Sequence, residues 1–373
     1  MQMTLPSRPT AYPRVGFLLP NLGGGGAERM LLTLANGFGD AGISTDMVLM
    51  SAQGDYLDEV GPNTRIVDLG TRRASRSVLA LRRYIQDVKL DVLISGLDHV
   101  NVCATAAVML SPRRPRLLLS QRNTLSHSNR ERSAQMNCLV RQALHRADLI
   151  LSVSEGVRRD LLDNHGLSPD RVVTSYNPVV SRAMLDMAEE EPLAIPGLDR
   201  RRYVLACGRL EPQKGFDVLV EAFANIAPAF PDVDLVILGR GKLMHVLQGQ
   251  ADSAGIAGRI HLPGFVRNPY ALMRRAELFV LSSRYEGLPG VLIQAMACGA
   301  KVVSTDCNSG PSEILQGGRY GPLVPVGDAH ALAQAIKMTL EQPLRADVRL
   351  RASDFAVDTV VPRHIELVMK LID

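Results

Sequence analysis

Two polar residues eight positions apart, Glu286 and Gln294, flank the start of a predicted helix. Pro289 stands between them, and proline is favoured in a first helical turn because its missing N–H would have no partner there. The helical pattern ends at Gly299, a residue suited to a left-handed cap. The spacing lets a carboxylate and an amide face one ligand, and the free N–H groups of the helix start favour a phosphate. Such a turn alone is also an ordinary connection of a parallel sheet.

A second strand-to-helix turn follows at Ser309–Glu313, after a strand pattern that begins at Lys301. We expect this turn to close the phosphate side of the same site, so that two helix starts face one ligand.

Two basic residues, Arg209 and Lys214, follow a predicted strand that begins at Tyr203. Arginine offers a planar fork of donors and lysine a compact point charge, so together they can neutralise a diphosphate, including one released as a leaving group. Either residue alone is also compatible with a solvated surface charge. The pair is therefore interpreted as a diphosphate site because Glu286 follows farther along the chain.

The elements that must hold these residues are short apolar strands that alternate with helices over most of the 373 residues. This alternation predicts parallel sheets with helices on both faces, and the length fits two domains. We expect a flexible tail at 1–13, an amino-terminal domain at 14–185, a linker at 186–202, a second domain at 203–352 and a terminal segment at 353–373. The linker is predicted because the sequence there turns acidic, then proline-rich, then basic.

Ligands of open parallel sheets bind beyond the carboxyl ends of the strands, and three features of the first domain fall there. A glycine-rich turn at Gly23–Gly26 lets a ligand approach backbone N–H groups, although it has neither GxGxxG nor Walker spacing. His99 is predicted to lie in the loop at the end of a later strand, and Arg122 and Asn123 follow the next strand. A lone histidine is often structural, and capping or solvation accounts equally well for Arg122 and Asn123.

The composition is that of a soluble globular protein, with 46% hydrophobic and 21% charged residues. No apolar run reaches the 18 or so residues of a membrane span, and the first residues lack the apolar centre of a signal peptide. The expected location is therefore the cytoplasm. The five cysteines are odd in number and form no CxxC pair, which disfavours a disulfide framework or a zinc site. We expect no metal and no bound cofactor.

Positive charge is concentrated between Arg65 and Arg146, where 14 Arg and one Lys stand against five acidic residues. Solvated helix faces account for such a stretch, as does attraction to nucleic acid, to a membrane surface or to a phosphorylated substrate. No helix-turn-helix, RNP-like aromatic set or zinc finger accompanies it, so nucleic acid is not expected as a partner. The favoured partner is an anionic lipid surface or a lipid diphosphate, with the protein peripheral on the inner face of the cytoplasmic membrane.

Several phrases resemble the retaining glycosyltransferases of family 4. GRLEPQKGFD from Gly208 and EGLPGVLIQAMACGAKVV from Glu286 are the specific ones, and GGAER near the start is weaker. The resemblance extends from about Val15 to Leu371. It implies the GT-B fold, with two doubly wound Rossmann-like domains facing across a cleft and a carboxyl-terminal helix that returns to the first domain. The family has a second glutamate where this chain has Gln294, so we expect altered nucleotide affinity with function retained.

The resemblance also implies roles for residues of this chain. Glu286 hydrogen-bonds the donor sugar, Gln294 holds the ribose, and the backbone around Val266 reads the base. His99 lies beside the donor sugar and the acceptor. The predicted catalytic residues are Arg209, Lys214, Glu286 and His99; the acceptor-side residues are His99, Arg122 and Asn123; the donor-binding residues are Gly24, Gly25, Gly26, Gly239, Val266, Glu286, Gly287, Leu288, Pro289, Gly290, Val291 and Gln294.

The expected activity is transfer of a hexosyl group, with retention, from a nucleotide sugar to a hydroxyl of a glycan or lipid-diphosphate-linked acceptor in cell-surface polysaccharide assembly. Uridine diphosphate sugars are the default donors, and guanosine and adenosine forms stay open. A GT-B fold can also carry a nucleotide-sugar epimerase or a phosphorylase, and the latter needs a pyridoxal phosphate lysine. A non-catalytic nucleotide-sugar-binding protein is the remaining alternative, and Gln294 favours it.

Overall fold

The computed structural model describes residues 13–23, 25–71, 74–198, 201–342 and 346–372, and the chain divides into two compact units. Unit 1 contains the chain up to Ser152, Asp160–Ser175 and the chain from Val361 onward. Unit 2 contains Val153–Arg159 and Tyr176–Val360. Residues 1–12, which make up most of the predicted tail, lie outside the described residues.

Unit 1 is built on a seven-stranded sheet in which every neighbouring pair is parallel, in the order β3-β2-β1-β4-β5-β6-β7. The inner strands are almost entirely buried, as expected for a sheet covered on both faces, whereas the edge strand Thr64–Asp68 is mostly exposed. They are β1 Arg14–Leu19, β2 Ser44–Leu49, β3 Thr64–Asp68, β4 Val92–Ser95, β5 Arg116–Gln121, β6 Leu149–Ser152 and β7 Val172–Thr174.

The first and third helices of the first half of the chain contact the strands of this sheet directly, and the second and fifth pack on the third. In the first of them the buried face includes Leu31, Leu34 and Phe38, and the Phe38 ring meets the edge of Phe17 with 5.3 Å between centroids. They are α1 Gly26–Asp40, α2 Ala74–Val88, α3 Asp98–Met109, α4 Leu125–Glu131, α5 Ala134–Arg146 and α6 Glu155–His165.

Unit 2 contains a six-stranded parallel sheet in the order β10-β9-β8-β11-β12-β13. The direction of strand addition reverses at β8, with β9 and β10 on one side of it and β11 to β13 on the other. The loops after β8 and β11 are therefore neighbours at the carboxyl edge, where ligands of such sheets bind. The strands are β8 Arg202–Cys207, β9 Val233–Leu238, β10 Ile260–Gly264, β11 Leu278–Leu281, β12 Val302–Thr305 and β13 Leu323–Val324.

The later helices cover this sheet and extend to the end of the described chain. The core of unit 2 is apolar and centres on the buried rings of Phe216 and Phe223 packed among Val, Leu and Ile side chains. These helices are α7 Arg182–Ala188, α8 Phe216–Ile226, α9 Met244–Ser253, α10 Tyr270–Arg275, α11 Gly290–Ala297, α12 Pro311–Ile314, α13 Ala329–Glu341, α14 Val348–Ala352 and α15 Val357–Ile372.

The predicted fold class, two doubly wound Rossmann-like parallel sheets, is confirmed. The division of the chain falls at other residues than the predicted linker at 186–202. Val179 and Val180 already donate their N–H groups to the Phe355 carbonyl, and α7 packs on α10, so the segment after β7 belongs to unit 2. The terminal segment also divides, because Val361 and the residues after it belong to unit 1.

Candidate functional site

The centre of the candidate site is a buried ion pair at the carboxyl edge of the unit 2 sheet. Lys214 Nζ lies 2.6 Å from Oε1 of Glu286, and the two side chains are only 15% and 10% exposed. The Ser283 hydroxyl donates to the same oxygen at 2.7 Å. None of the described residues donates to Glu286 Oε2. A cation and a partly unsatisfied carboxylate are thus held side by side, away from solvent screening.

The lysine is placed by a tight turn between β8 and α8. Gly215 has φ +61°, and a Cβ there would lie 2.1 Å from the Ser282 carbonyl oxygen, so only glycine fits. The Ser282 hydroxyl in turn donates to the Lys214 carbonyl at 2.8 Å. The loop after β8 is therefore fixed on the loop after β11, which carries Glu286.

Arg284 ties the same two loops together, and the sequence analysis assigns it no role. Its guanidinium donates to both carboxylate oxygens of Asp217 at 2.9 and 2.6 Å and to the Pro212 carbonyl at 2.6 Å. These bonds hold the pKa of Asp217 below its usual range. Their positions in the sequence could have pointed to both residues, since Arg284 lies two residues before Glu286 and Asp217 three residues after Lys214.

Arg209 lies on the exposed rim of the turn that carries Lys214. Its Nη2 donates weakly to Oε1 of Gln213 at 3.4 Å, and none of the described carboxylates pairs with it. Gln213 is held by Tyr285, whose carbonyl accepts from its Nε2 at 3.0 Å. The guanidinium is therefore left available to an anionic ligand beside the Lys214–Glu286 pair.

The residues Gly287, Leu288, Pro289, Gly290 and Val291 form the entry to α11. The Pro289 position caps the helix without a side-chain hydrogen bond, so the first N–H groups keep their capacity to bind an anion. Gln294 lies in the second turn and is partly exposed. Its carbonyl accepts from the Cys298 N–H within the helix at 3.0 Å, but its side-chain amide makes no hydrogen bond with any described residue. Its amide is free to bind a ligand near the helix start.

Gly239 and Val266 lie beside the same edge, after β9 and β10. Gly239 has φ +139°, and a Cβ there would lie 1.8 Å from the Gly208 carbonyl oxygen, so the loop after β9 passes directly against the one after β8. Val266 is buried, but its neighbour Phe265 is 65% exposed with the Arg240 guanidinium 5.9 Å from its ring centre. The sequence analysis does not single out this exposed aromatic rim.

Two cysteines border the ion pair. Burial raises the pKa of Cys207 to about 11, opposed by Lys214, and burial together with the Glu286 charge raises the pKa of Cys307 to about 12. Both thiols are therefore neutral near pH 7 and poor nucleophiles. No group of three His, Cys, Asp or Glu side chains in the described ranges is arranged to hold a metal ion.

The second predicted turn, Ser309–Glu313, holds other segments of unit 2 in place through Glu313. Its helix α12 is only four residues long, and the Glu313 carboxylate accepts from the Glu155 N–H at 2.9 and 3.0 Å and from the Tyr176 hydroxyl at 2.6 Å. Glu313 thus caps the start of α6, where a negative charge is favourable. Ser309 remains near Glu286, because its N–H donates to the Glu286 carbonyl at 2.7 Å.

His99 lies in the first turn of α3 in unit 1, which corrects the prediction of a strand-end loop. The helix begins at Asp98, and the Asn101 N–H already donates to the Leu97 carbonyl at 2.7 Å. The His99 side chain is exposed, while Asp98 pairs with Arg132 at 2.5 Å. Burial raises the pKa of Asp98, and Arg132 opposes this shift.

The glycine-rich turn and Arg122 are close to each other at the carboxyl edge of unit 1. Gly25 is the extended residue before α1, Gly26 begins that helix, and Gly24 lies outside the described residues. Burial lowers the pKa of Arg122 to about 10, and the Glu28 charge opposes the shift, so Arg122 stays cationic at neutral pH. Asn123 is exposed.

Gln121, just before Arg122, is a polar residue that the sequence analysis passes over. It is 1% exposed, its Nε2 donates to the Asn123 carbonyl at 3.0 Å, and its Oε1 has no partner among the described residues.

Comparisons with known proteins find glycosyltransferase families for both parts of the chain. Residues 24–181 match the family described as Glycosyltransferase Family 4, and residues 201–342 match the one described as Glycosyl transferases group 1. The chain is 29% identical over 342 residues to the Campylobacter jejuni N-acetylgalactosamine-N,N'-diacetylbacillosaminyl-diphospho-undecaprenol 4-alpha-N-acetylgalactosaminyltransferase, covering 88% of this chain and 90% of that protein. It is 25% identical to the Rhizobium meliloti lipopolysaccharide core biosynthesis glycosyltransferase LpsE, covering 90% and 91%.

A solved structure shares the fold of this chain. The crystal structure of Anabaena HepE in complex with UDP superimposes with a TM-score of 0.79 at 20% identity, covering 96% of this chain and all of that one. None of the helices in the described part of the chain is long and apolar enough to cross a bilayer.

Proposed function

Because this chain belongs to the glycosyltransferases of family 4, and is therefore a sugar-transferring enzyme, we propose that it moves a hexosyl unit from a nucleotide sugar, with UDP-sugars as first candidates, to a hydroxyl of a glycan or lipid-linked acceptor. The observation that carries the proposal is the buried Lys214–Glu286 pair at 2.6 Å, next to the uncapped start of α11. Such an arrangement suits a ligand that joins an anionic diphosphate to a polyhydroxyl ring.

The donor is bound in unit 2. The N–H groups that begin α11 and the cations of Arg209 and Lys214 hold the diphosphate. Gln294 accepts from or donates to the ribose hydroxyls, Gly239 leaves room for the ligand, and the backbone at Val266 reads the base. Glu286 accepts from the hydroxyls of the transferred sugar. The UDP bound to HepE, a protein of the same fold, supports this class of donor.

The transfer is a front-face displacement with retention. The bond from the anomeric carbon to the diphosphate oxygen breaks while the acceptor oxygen bonds to that carbon from the same side, and the acceptor proton passes to the departing phosphate oxygen. Lys214 and Arg209 stabilise the charge that develops on the diphosphate. Positioning and these two cations provide the catalysis, so we propose that the reaction needs neither a metal ion nor a bound cofactor.

The acceptor is a cell-surface polysaccharide precursor. The name of the Campylobacter relative supports a diphospho-undecaprenol-linked acceptor, and that of the Rhizobium relative supports lipopolysaccharide core biosynthesis. His99, Arg122 and Asn123 are the acceptor-side residues of unit 1. His99 is exposed at the start of α3, and Arg122 is a cation suited to a phosphate-linked acceptor. The enzyme works on the cytoplasmic side of the membrane and associates with its anionic surface.

A thermal-shift panel tests the donor site directly. UDP, GDP and ADP and their sugars are added to the wild type, to Lys214→Ala and to the control Lys337→Ala, which removes an exposed lysine of α13, each with and without EDTA. At about one hundred times its dissociation constant a ligand stabilises the fold by about 2.7 kcal/mol, a shift of several degrees. We expect one nucleotide class to stabilise the wild type and Lys337→Ala, without sensitivity to EDTA, and to lose its effect in Lys214→Ala. If no nucleotide shifts the wild type, the proposed donor site is wrong.

A further inference from the structure

Unit 1 contains a cavity of about 440 Å³ at the amino-terminal ends of β4, β5 and β6, the sheet edge opposite to the one that carries His99 and Arg122. Four arginines line it: Arg113, Arg114, Arg116 and Arg146. Four of the 14 arginines of the basic stretch thus lie at a place for which the proposed transfer reaction has no use.

The two acidic residues of the cavity are already engaged. Asp91 accepts from the Arg14 N–H at 2.9 Å and from Arg113 at 2.7 Å. Asp148 accepts from the Leu117 N–H at 2.8 Å and from Arg116 at 3.2 Å. Each carboxylate fixes the start of a strand and neutralises one arginine.

Arg114 and Arg146 are not neutralised in this way. No described carboxylate lies within ion-pair distance of either guanidinium, and Arg146 makes only a long 3.4 Å hydrogen bond to the Gln142 carbonyl. Both side chains are exposed. Two guanidinium groups with unused donor forks in one cavity are suited to a phosphate group, which arginine binds through two parallel hydrogen bonds.

The remaining lining of the cavity is apolar. It is formed by Leu90, Val108, Met109, Pro115 and Ile372. Met109 is 39% exposed, and the adjacent Leu110, at the end of α3, is 57% exposed. Large apolar side chains next to a cluster of arginines are typical of surfaces that contact lipid, with the apolar groups at the acyl boundary and the cations at the headgroups.

We propose that this cavity binds the phosphate of an anionic phospholipid headgroup, with Arg114 and Arg146 as the phosphate ligands and Met109 and Leu110 against the first acyl carbons. The proposal names the surface through which unit 1 meets the membrane, and it does not depend on transfer activity. The occupant is a lipid because a free anion uses the arginines alone and leaves Met109 and Leu110 exposed.

Vesicle co-sedimentation tests the site. The full chain is mixed with vesicles of phosphatidylglycerol and phosphatidylcholine, and with vesicles of phosphatidylcholine alone. The test variant is Arg114→Ala/Arg146→Ala, and the matched control is Arg76→Ala/Arg83→Ala, which removes two exposed arginines of α2 outside the cavity. We expect the wild type to bind only the anionic vesicles, the test variant to bind them roughly thirtyfold more weakly, and the control to stay within about threefold of the wild type.

Two further measurements keep the outcome decisive. Met109→Ser, which keeps all the charges, should weaken vesicle binding severalfold, and titration with inorganic pyrophosphate should give much weaker binding than the vesicles. Equal losses in the test and control variants would mean that only net charge matters, and this would overturn the site. Pyrophosphate binding as tight as vesicle binding would overturn the lipid as its occupant. Nucleotide-induced thermal shifts should be unchanged in all these variants, so a failure here is separable from a failure of the donor site.

Discussion

The ammonium group of Lys214 and the carboxylate of Glu286 lie 2.6 Å apart, although 72 residues separate them in the sequence. Each is the main compensation for burying the other, and removing one partner of such a pair leaves an uncompensated buried charge. The same two groups are proposed to bind the donor, so their replacement affects both stability and turnover.

We predict that Lys214→Ala lowers the transfer rate by roughly a hundredfold to a thousandfold, because the departing diphosphate loses a preorganised cation. It also lowers the free energy of unfolding by about 3 kcal/mol, since Glu286 is left unpaired. Steady-state transfer assays and urea unfolding measure the two effects. Lys214→Ala/Glu286→Gln separates them, because it should recover stability without recovering turnover. Recovery of turnover as well would contradict a role for the cation in the reaction.

Gly215 provides a test of the turn that presents Lys214. Gly215→Ala should lower the free energy of unfolding by about 3 kcal/mol, because the new Cβ meets the Ser282 carbonyl oxygen in a left-handed conformation. Gly255→Ala is the matched control: Gly255 has φ +70° but nothing lies within 4 Å of its added Cβ, so only the conformational cost of about 1 kcal/mol applies. Urea denaturation of both variants measures the difference, and equal losses would show that the clash is relieved.

How much of the fold and of the candidate site can be predicted from the sequence depends on how far apart in the sequence the interacting residues lie. The mostly apolar runs Val92–Ser95, Val233–Leu238 and Leu278–Leu281 are readable in the sequence as strands, and β4, β9 and β11 have these bounds, because each run is flanked by polar residues or glycine. Helix α5 is not predicted, since few of its positions are buried and its apolar pattern is weak.

Within the site, the phrases around Arg209 and Glu286 were readable because residues near in sequence form each loop. The contacts that join the two loops could not be predicted from the sequence. Gly215 packs against Ser282, and Asp217 accepts from Arg284, across 67 residues in each case. His99 was placed in a loop because Asp98 is as common before a helix as within its first turn. The roles of these residues in binding and transfer remain predictions.

The Arg284–Asp217 bridge should make stability depend on acid. The hydrogen bonds from Arg284 hold the pKa of Asp217 below its ordinary value of 3.8, so the stabilisation is fully present above pH 3.8 and is lost as the pH falls through the lower, folded-state pKa. Because both side chains are more than a third exposed, we expect Asp217→Asn to cost only about 1 kcal/mol at pH 7, and the cost to vanish near pH 2. Urea unfolding at pH 7, 3 and 2 measures this trend.

The control for that trend is Asp186→Asn, which breaks a highly exposed pair with Arg182 and should change stability by less than about 0.5 kcal/mol at any of these values. A cost for Asp217→Asn that stays constant between pH 7 and pH 2 would mean that its charge is not involved.

Gln294 is the residue whose side chain departs from the family pattern, and replacing it with glutamate is an informative test. An amide accepts more weakly from ribose hydroxyls than a carboxylate does, because a hydrogen bond to an ionised acceptor is about twice as strong. We predict that Gln294→Glu tightens binding of the accepted nucleoside diphosphate about fivefold, or about 1 kcal/mol, while Gln294→Ala weakens it by a similar factor. Titration calorimetry measures both, and the matched 2′,3′-dideoxy nucleotide should bind all three proteins alike. If the dideoxy nucleotide distinguishes them as strongly as the natural one, Gln294 acts on something other than the ribose.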